Sequence, residues 1–160
     1  MDQTPYNVNV NINTPPQQQY PQQPMQQQPP VQQLPTNRSL LKMILLSLVT
    51  FGIYALVIQS KMIKEINMTA LKDGKRTQGL FIMILLSMIT FGIYALVWAH
   101  KYAGRVGDEA ARRNTGVSFG AADFWIFCVL LSFTVICPLI YTYKLVKANN
   151  AINASYNIYG

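Results

Sequence analysis

The one histidine, His100, closes an apolar run between Trp98 and Lys101. An imidazole in that place could relay protons if an acid faced it from a neighbouring apolar segment. No acid is so placed: Glu65, Asp73, Asp108 and Glu109 all fall in polar connectors, and Asp123 precedes an apolar run, where a helix N-terminus favours a carboxylate. His100 therefore reads as an interfacial side chain. Cys128 and Cys137 lie nine residues apart inside one apolar run, which fits neither a zinc spacing nor a disulfide framework, so they read as small packing residues. There is no Walker loop, no metal-ligand spacing, and no nucleophile accompanied by a base and an orienting partner. The Asn-x-Ser/Thr triplets at Asn37, Asn67 and Asn153 match a glycosylation acceptor, which matters in a secreted chain and not in a bacterial one. The expectation is a non-enzyme, with no catalytic, cofactor-binding or metal residue.

The elements that carry these residues explain the scarcity of chemistry. Charged residues make up 12% of the 160 residues, against roughly 25% in an ordinary soluble domain, and none lies between Asp2 and Arg38. Eight of the nine prolines and a dense set of glutamines occupy that stretch, so residues 1–37 are expected to be a disordered tail. Within it, residues 6–12 read YNVNVNI, an alternation that suits a strand added to a partner's sheet edge; the tail is a candidate site for a protein partner. The rest carries three long apolar runs, which makes a water-soluble enzyme improbable. The net charge of +7 and pI near 9.5 come from bases interleaved with those runs, a distribution suited to an anionic membrane surface and not to nucleic acid. The N-terminus lacks a basic region followed by an apolar one, so insertion is expected to be directed by the internal runs.

The runs repeat. ILLSLVTFGIYALV from Ile44 recurs as ILLSMITFGIYALV from Ile84, 40 residues later, and a weaker copy, VLLSFTVICPLIY, starts at Val129. Each copy contains a candidate helix break: Thr50, Gly52 and Tyr54 in the first, Thr90, Gly92 and Tyr94 in the second, and Pro138 in the third. Glycine permits a turn, threonine caps the helix that follows, and proline removes a donor. Ser47, Ser87 and Ser132, one per copy, are expected to bond carbonyls near the break. Polar stretches follow each run with apolar residues at helical spacing (Met62, Ile63 and Ile66; Tyr102, Val106 and Ala110), which predicts amphipathic extensions along lipid headgroups. Ala95, Ala99, Ala103, Gly107 and Ala111 form a small-residue ridge that suits close helix packing, within the chain or in a homo-oligomer. Trp98, Trp125, Tyr141 and Tyr143, at run ends, suit an aromatic belt.

The fold class expected is all-α integral membrane: three repeated hydrophobic helical units, at about 38–72, 78–113 and 121–157, with amphipathic extensions and a disordered N-terminal tail. Each unit is a spanning helix or a re-entrant hairpin bent at its break. With three alternating spans the 13 Lys and Arg divide into six and seven, leaving the positive-inside rule nothing to act on; with three hairpins all 13 share one face. Against hairpins stands the cost of uncovered non-helical backbone in lipid.

Arg38-Ser39, the two Thr-Phe-Gly-Ile-Tyr motifs and the closing NNAINASYN at residues 149–157 resemble the bacterial domain-of-unknown-function family numbered 4234, over residues 38–157. The resemblance implies a small multi-pass protein of the bacterial inner membrane and supplies no active site; the Pro/Gln tail replaces the cysteine-rich zinc ribbon often found in that family. The function expected is that of a structural or interaction protein in contact with anionic lipid, the alternative being a small channel or transport component.

Overall fold

The computed structural model describes residues 32–160, and these form six α-helices and no strand: α1 (Leu40–Val49), α2 (Ile53–Thr69), α3 (Leu80–Ile89), α4 (Ile93–Arg112), α5 (Ala121–Phe124) and α6 (Ile136–Tyr159). A 3-10 turn (Leu71–Asp73) follows α2, and a π-helical segment (Trp125–Leu130) continues α5. The expected strand at residues 6–12 and the disordered tail lie outside the described residues as far as residue 31.

No apolar run is a continuous helix. Each is cut near its middle, and the chain returns on itself. In the second run Trp98 Nε1 donates to the Gln78 carbonyl at 3.0 Å, so the chain two residues before α3 lies beside the second turn of α4. In the third, Lys144 pairs with Asp123, and in the first the Arg38 guanidinium reaches Glu65. The feet of three hairpins are thereby closed. The roughly 20-residue spanning helices expected from run length are not formed: among the described residues no helix is long and apolar enough to cross a membrane.

The core sits where the feet meet. Met62, Ile63 and Ile66 of α2, Tyr102, Ala103, Val106 and Ala110 of α4, and Leu145, Val146, Ala148 and Ile152 of α6 are all buried in one cluster. Their i, i+3 and i+4 spacing gives each helix one apolar stripe. Three stripes facing each other remove the apolar surface that each would show alone, at about 1.5–3 kcal/mol per large side chain. These are the amphipathic extensions read from the sequence, and their apolar faces cover one another.

Residues 34–38 form an extended strap against the end of α6. Leu34 is buried, and three asparagines hold the strap's main chain as surrogate peptide groups. Asn157 bonds both the N–H and the carbonyl of Leu34 at 2.8 Å, Asn153 donates to the Pro35 carbonyl at 2.8 Å, and Asn150 donates to the Arg38 carbonyl at 2.8 Å.

Candidate functional site

The two Thr-Phe-Gly motifs build the same turn. Thr50 ends α1, Phe51 and Gly52 take φ of 50° and 86°, and α2 begins; at Phe91 and Gly92 the angles are 51° and 87°. The Gly52 N–H bonds the Ser47 carbonyl at 2.7 Å, the six-to-one closure of a Schellman turn, and Gly92 repeats it with Ser87 at 2.7 Å. The threonine hydroxyl serves both helices. Thr50 Oγ1 donates to the Leu46 carbonyl at 2.7 Å and accepts from the Tyr54 N–H at 3.0 Å; Thr90 does the same with Leu86 and Tyr94, at 2.8 and 3.0 Å. Phenylalanine in the left-handed region is unusual, since a side chain there costs about 1–2 kcal/mol.

Pro138 behaves otherwise. It is the third residue of α6, in the first turn, where a missing N–H goes unnoticed. The break of the third run falls at 131–135, ahead of the Cys-Pro pair that the sequence pointed to, and Thr134 Oγ1 bonds the Leu131 carbonyl there at 3.0 Å. Of the three serines, Ser87 bonds the Met83 carbonyl at 2.6 Å and Ser132 that of Val129 at 2.9 Å, whereas the Ser47 hydroxyl is buried without a partner.

Beyond the feet the hairpins are apolar and bare. Phe51 and Phe91 are each 97% exposed and Phe133 81%, with Leu48, Val49, Met88, Ile89, Val135 and Ile136 exposed around them. No residue of α1 is buried.

The feet, in contrast, are polar networks. Glu65, almost buried, holds Arg38 through both carboxylate oxygens, one at 2.6 Å, and accepts from Asn153 at 2.9 Å, while Arg38 also donates to Asn149 at 2.7 Å. Arg105 is buried and saturated: it donates to Asp73 at 2.6 Å, to Thr77 Oγ1 at 3.0 Å, to the Lys75 carbonyl at 2.7 Å, and to Asn67. Burial pushes the Asp73 carboxyl up, but the hydrogen bonds from Arg105 and the Lys75 N–H, with both positive charges, outweigh it and hold the group below its ordinary value. Glu109 is buried between Arg112 and Arg113, both at 2.5 Å, and Arg113 donates to the Thr69 carbonyl at 2.8 Å. Burial raises the Tyr102 hydroxyl far above its ordinary range.

A cleft of about 710 Å³ opens beside the second hairpin's foot, between the connector after α2 and one side of α4, with Lys75, Arg76, His100 and Lys101 among its walls. His100 Nδ1 accepts from Trp125 Nε1 at 3.0 Å. Among the described residues no group of three His, Cys, Asp or Glu could hold a metal ion, and both cysteines are free.

The small-residue ridge is used in part. Ala103 and Gly107 are buried, Ala95 and Ala99 half-buried, and Ala111 exposed. At Gly107 a Cβ would lie 2.3 Å from the Phe119 carbonyl oxygen, so the ridge serves an intramolecular approach between α4 and the segment leading into α5. Of the aromatic belt, Trp98 turns inward to stack on Tyr102 at 5.2 Å, and Tyr141 is half-buried against Phe119 and Phe124; Trp125 and Tyr143 remain exposed. Sequence reading missed the Arg105–Asp73–Asn67 and Arg38–Glu65–Asn153 networks. Their signal was present as polar residues amid apolar helical stripes, but nothing in sequence joins positions so far apart.

Residues 38–108 match the model of the family described as Domain of unknown function (DUF4234), which shows the resemblance read from Arg38-Ser39 and the Thr-Phe-Gly-Ile-Tyr motifs over that stretch. The match stops short of the Asn-rich segment at 149–157. No curated protein and no solved structure matches the chain.

Proposed function

We propose that this DUF4234-bearing chain is a non-enzymatic membrane protein whose three apolar hairpins enter one leaflet from the same side, leaving the polar feet as a basic platform among the headgroups. One observation carries the reading: charge and apolar exposure are segregated along every hairpin. All Lys, Arg, Asp and Glu lie outside residues 43–60, 77–100 and 124–143, and those stretches carry the bare phenylalanines of the tips. In water such patches invite aggregation; in acyl chains they are solvated.

Length supports the same reading. The ten residues of α1 and of α3 extend about 15 Å at 1.5 Å per residue, half of the ~30 Å hydrocarbon core. Tips of that reach end near the midplane. The cost of non-helical backbone in lipid is reduced within the turn to one unpaired donor, the Phe51 N–H, because the N–H groups of Thr50, Gly52, Ile53 and Tyr54 each have a partner there. Every base then stays on the side of entry, as the positive-inside bias requires of a cytoplasmic face.

The test is labelling of single-cysteine variants, in a Cys128→Ser/Cys137→Ser background, added to preformed phosphatidylcholine vesicles. Positions in 71–78 and 112–118 are expected to react with an impermeant maleimide from the outside, and positions 51 and 91 to be protected. Reaction of the two loops from opposite sides, or of the tips from the vesicle lumen, overturns the proposal.

A further inference from the structure

The cleft beside the second hairpin changes character along its length in the way that a phospholipid does. Its α4 wall recurs at helical spacing from Tyr94 and Val97, in the apolar arm, through Lys101 and Arg105 to Asp108. Those residues span about 21 Å at 1.5 Å per residue. The opposite wall is the connector carrying Lys75 and Arg76.

Arg105 does not supply the charge for a ligand, since Asp73 neutralises it and its donors are occupied. It positions the connector instead. By holding the Lys75 carbonyl and the Thr77 hydroxyl, with Asn67 bonding the Thr77 N–H at 2.8 Å and its carbonyl at 2.9 Å, it fixes the loop that faces α4. Lys75, Arg76 and Lys101 form no ion pair among the described residues. The Trp125 indole, which can only donate, makes His100 Nδ1 the acceptor, so the neutral ring carries its proton on Nε2. Arg76 and Lys101, with Lys75 shared with Asp73, outnumber the one unpaired carboxylate of the cleft, Asp108 at the end of the α4 wall away from the apolar arm. They leave a net positive rim beside an apolar wall, suited to a phosphodiester whose acyl chains continue along the hairpin.

We infer that this cleft binds the phosphate of one anionic glycerophospholipid, with its chains against Tyr94 and Val97 and its phosphate between Arg76 and Lys101. The inference rests on the one-leaflet reading and adds a defined lipid site to it.

The experiment follows lipid adducts on the full chain by native mass spectrometry from neutral detergent, with phosphatidylglycerol and phosphatidylcholine at equal mole fraction. Wild type is expected to retain phosphatidylglycerol at least about tenfold over phosphatidylcholine. Arg76→Gln/Lys101→Gln is expected to lose that preference, having lost two charge-assisted contacts. Lys64→Gln/Lys147→Gln, which removes two exposed charges away from the cleft, is expected to keep it. No preference in wild type, or equal loss in both double variants, overturns the inference in favour of diffuse charge. Displacement of the lipid by millimolar inorganic phosphate overturns the lipid assignment in favour of a free-anion site. The sidedness labelling in pure phosphatidylcholine separates the two claims: normal insertion without lipid preference defeats the cleft alone, and lipid preference with failed insertion defeats the one-leaflet reading alone.

Discussion

Replacing Phe51 with aspartate sets two energies against each other, and the structure gives the sign of each. At φ of 50° phenylalanine sits where L residues are disfavoured, whereas aspartate is among the side chains that enter this region most readily. The turn is therefore kept or eased by Phe51→Asp. Membrane entry moves the opposite way. At the centre of an inserted segment phenylalanine contributes about −0.3 to −0.6 kcal/mol and aspartate costs about 2.5–3.5 kcal/mol, a difference of roughly 3–4 kcal/mol. At 1.4 kcal/mol per decade, that is about a 100- to 1,000-fold loss in partitioning. Flotation of the full chain with phosphatidylcholine vesicles over a lipid titration measures the ratio, and circular dichroism checks that helicity is unchanged. Phe51→Leu, apolar and similar in transfer energy, is expected to bind within about twofold of wild type. Phe91→Asp repeats the experiment on an independent hairpin with the same turn. A Phe51→Asp protein that keeps its helicity and floats within about threefold of wild type would refute the reasoning, because an inserted tip cannot carry a carboxylate at so little cost.

Four further outcomes follow from the base and the turns. Gly107→Ala puts a Cβ 2.3 Å from a backbone oxygen, so thermal denaturation in neutral detergent should show a loss of about 1–3 kcal/mol. Gly104→Ala, whose Cβ meets Ala121 at an ordinary 3.7 Å, should instead gain about 0.5–1 kcal/mol from helix propensity. Thr50→Val and Thr90→Val remove a hydroxyl that bonds both helices of a turn and should each cost about 1 kcal/mol, read as faster amide exchange at residues 54 and 94. The Asp73 carboxyl is held below its ordinary 3.8, so its ion pair with Arg105 stabilises the fold fully above that value and the contribution disappears as pH falls through the lowered one. The difference in melting temperature between wild type and Asp73→Asn should be largest near neutrality and shrink to nothing in acid; a difference that persists at low pH would assign the effect to packing.

The turns were the part of the site most legible from residue types, because their determinants are local. A threonine three residues before the first residue of the following helix and a glycine free to take positive φ act within a few bonds of each other. The capping of Tyr54 and Tyr94 therefore followed from the motif itself. Pro138 was misplaced for a related reason: proline breaks a helix interior but fits a first turn, and only the end of the preceding segment decides which of the two it meets. The polar feet were hidden. Arg105 on an amphipathic helix reads as a solvated charge until the connector carrying Asp73 folds over it, and Arg38, Glu65 and Asn153 share a contact across |i−j| separations of 27 and 88.

The sequence by itself determined where apolar and charged side chains fall, that the elements carrying them are helices, and where two of the runs can bend, since periodicity, composition and turn chemistry act over neighbouring residues; whether those runs span or turn back it left open. The tertiary structure decided that the amphipathic halves of α2, α4 and α6 cover one another, that buried ion pairs close the hairpin feet, that Gly107 is pressed against a carbonyl, and that a basic cleft opens beside α4. Each of those depends on which faces meet after the chain has reversed, and the burial that makes an arginine structural instead of solvated is a property of the meeting surfaces and not of either strip of sequence.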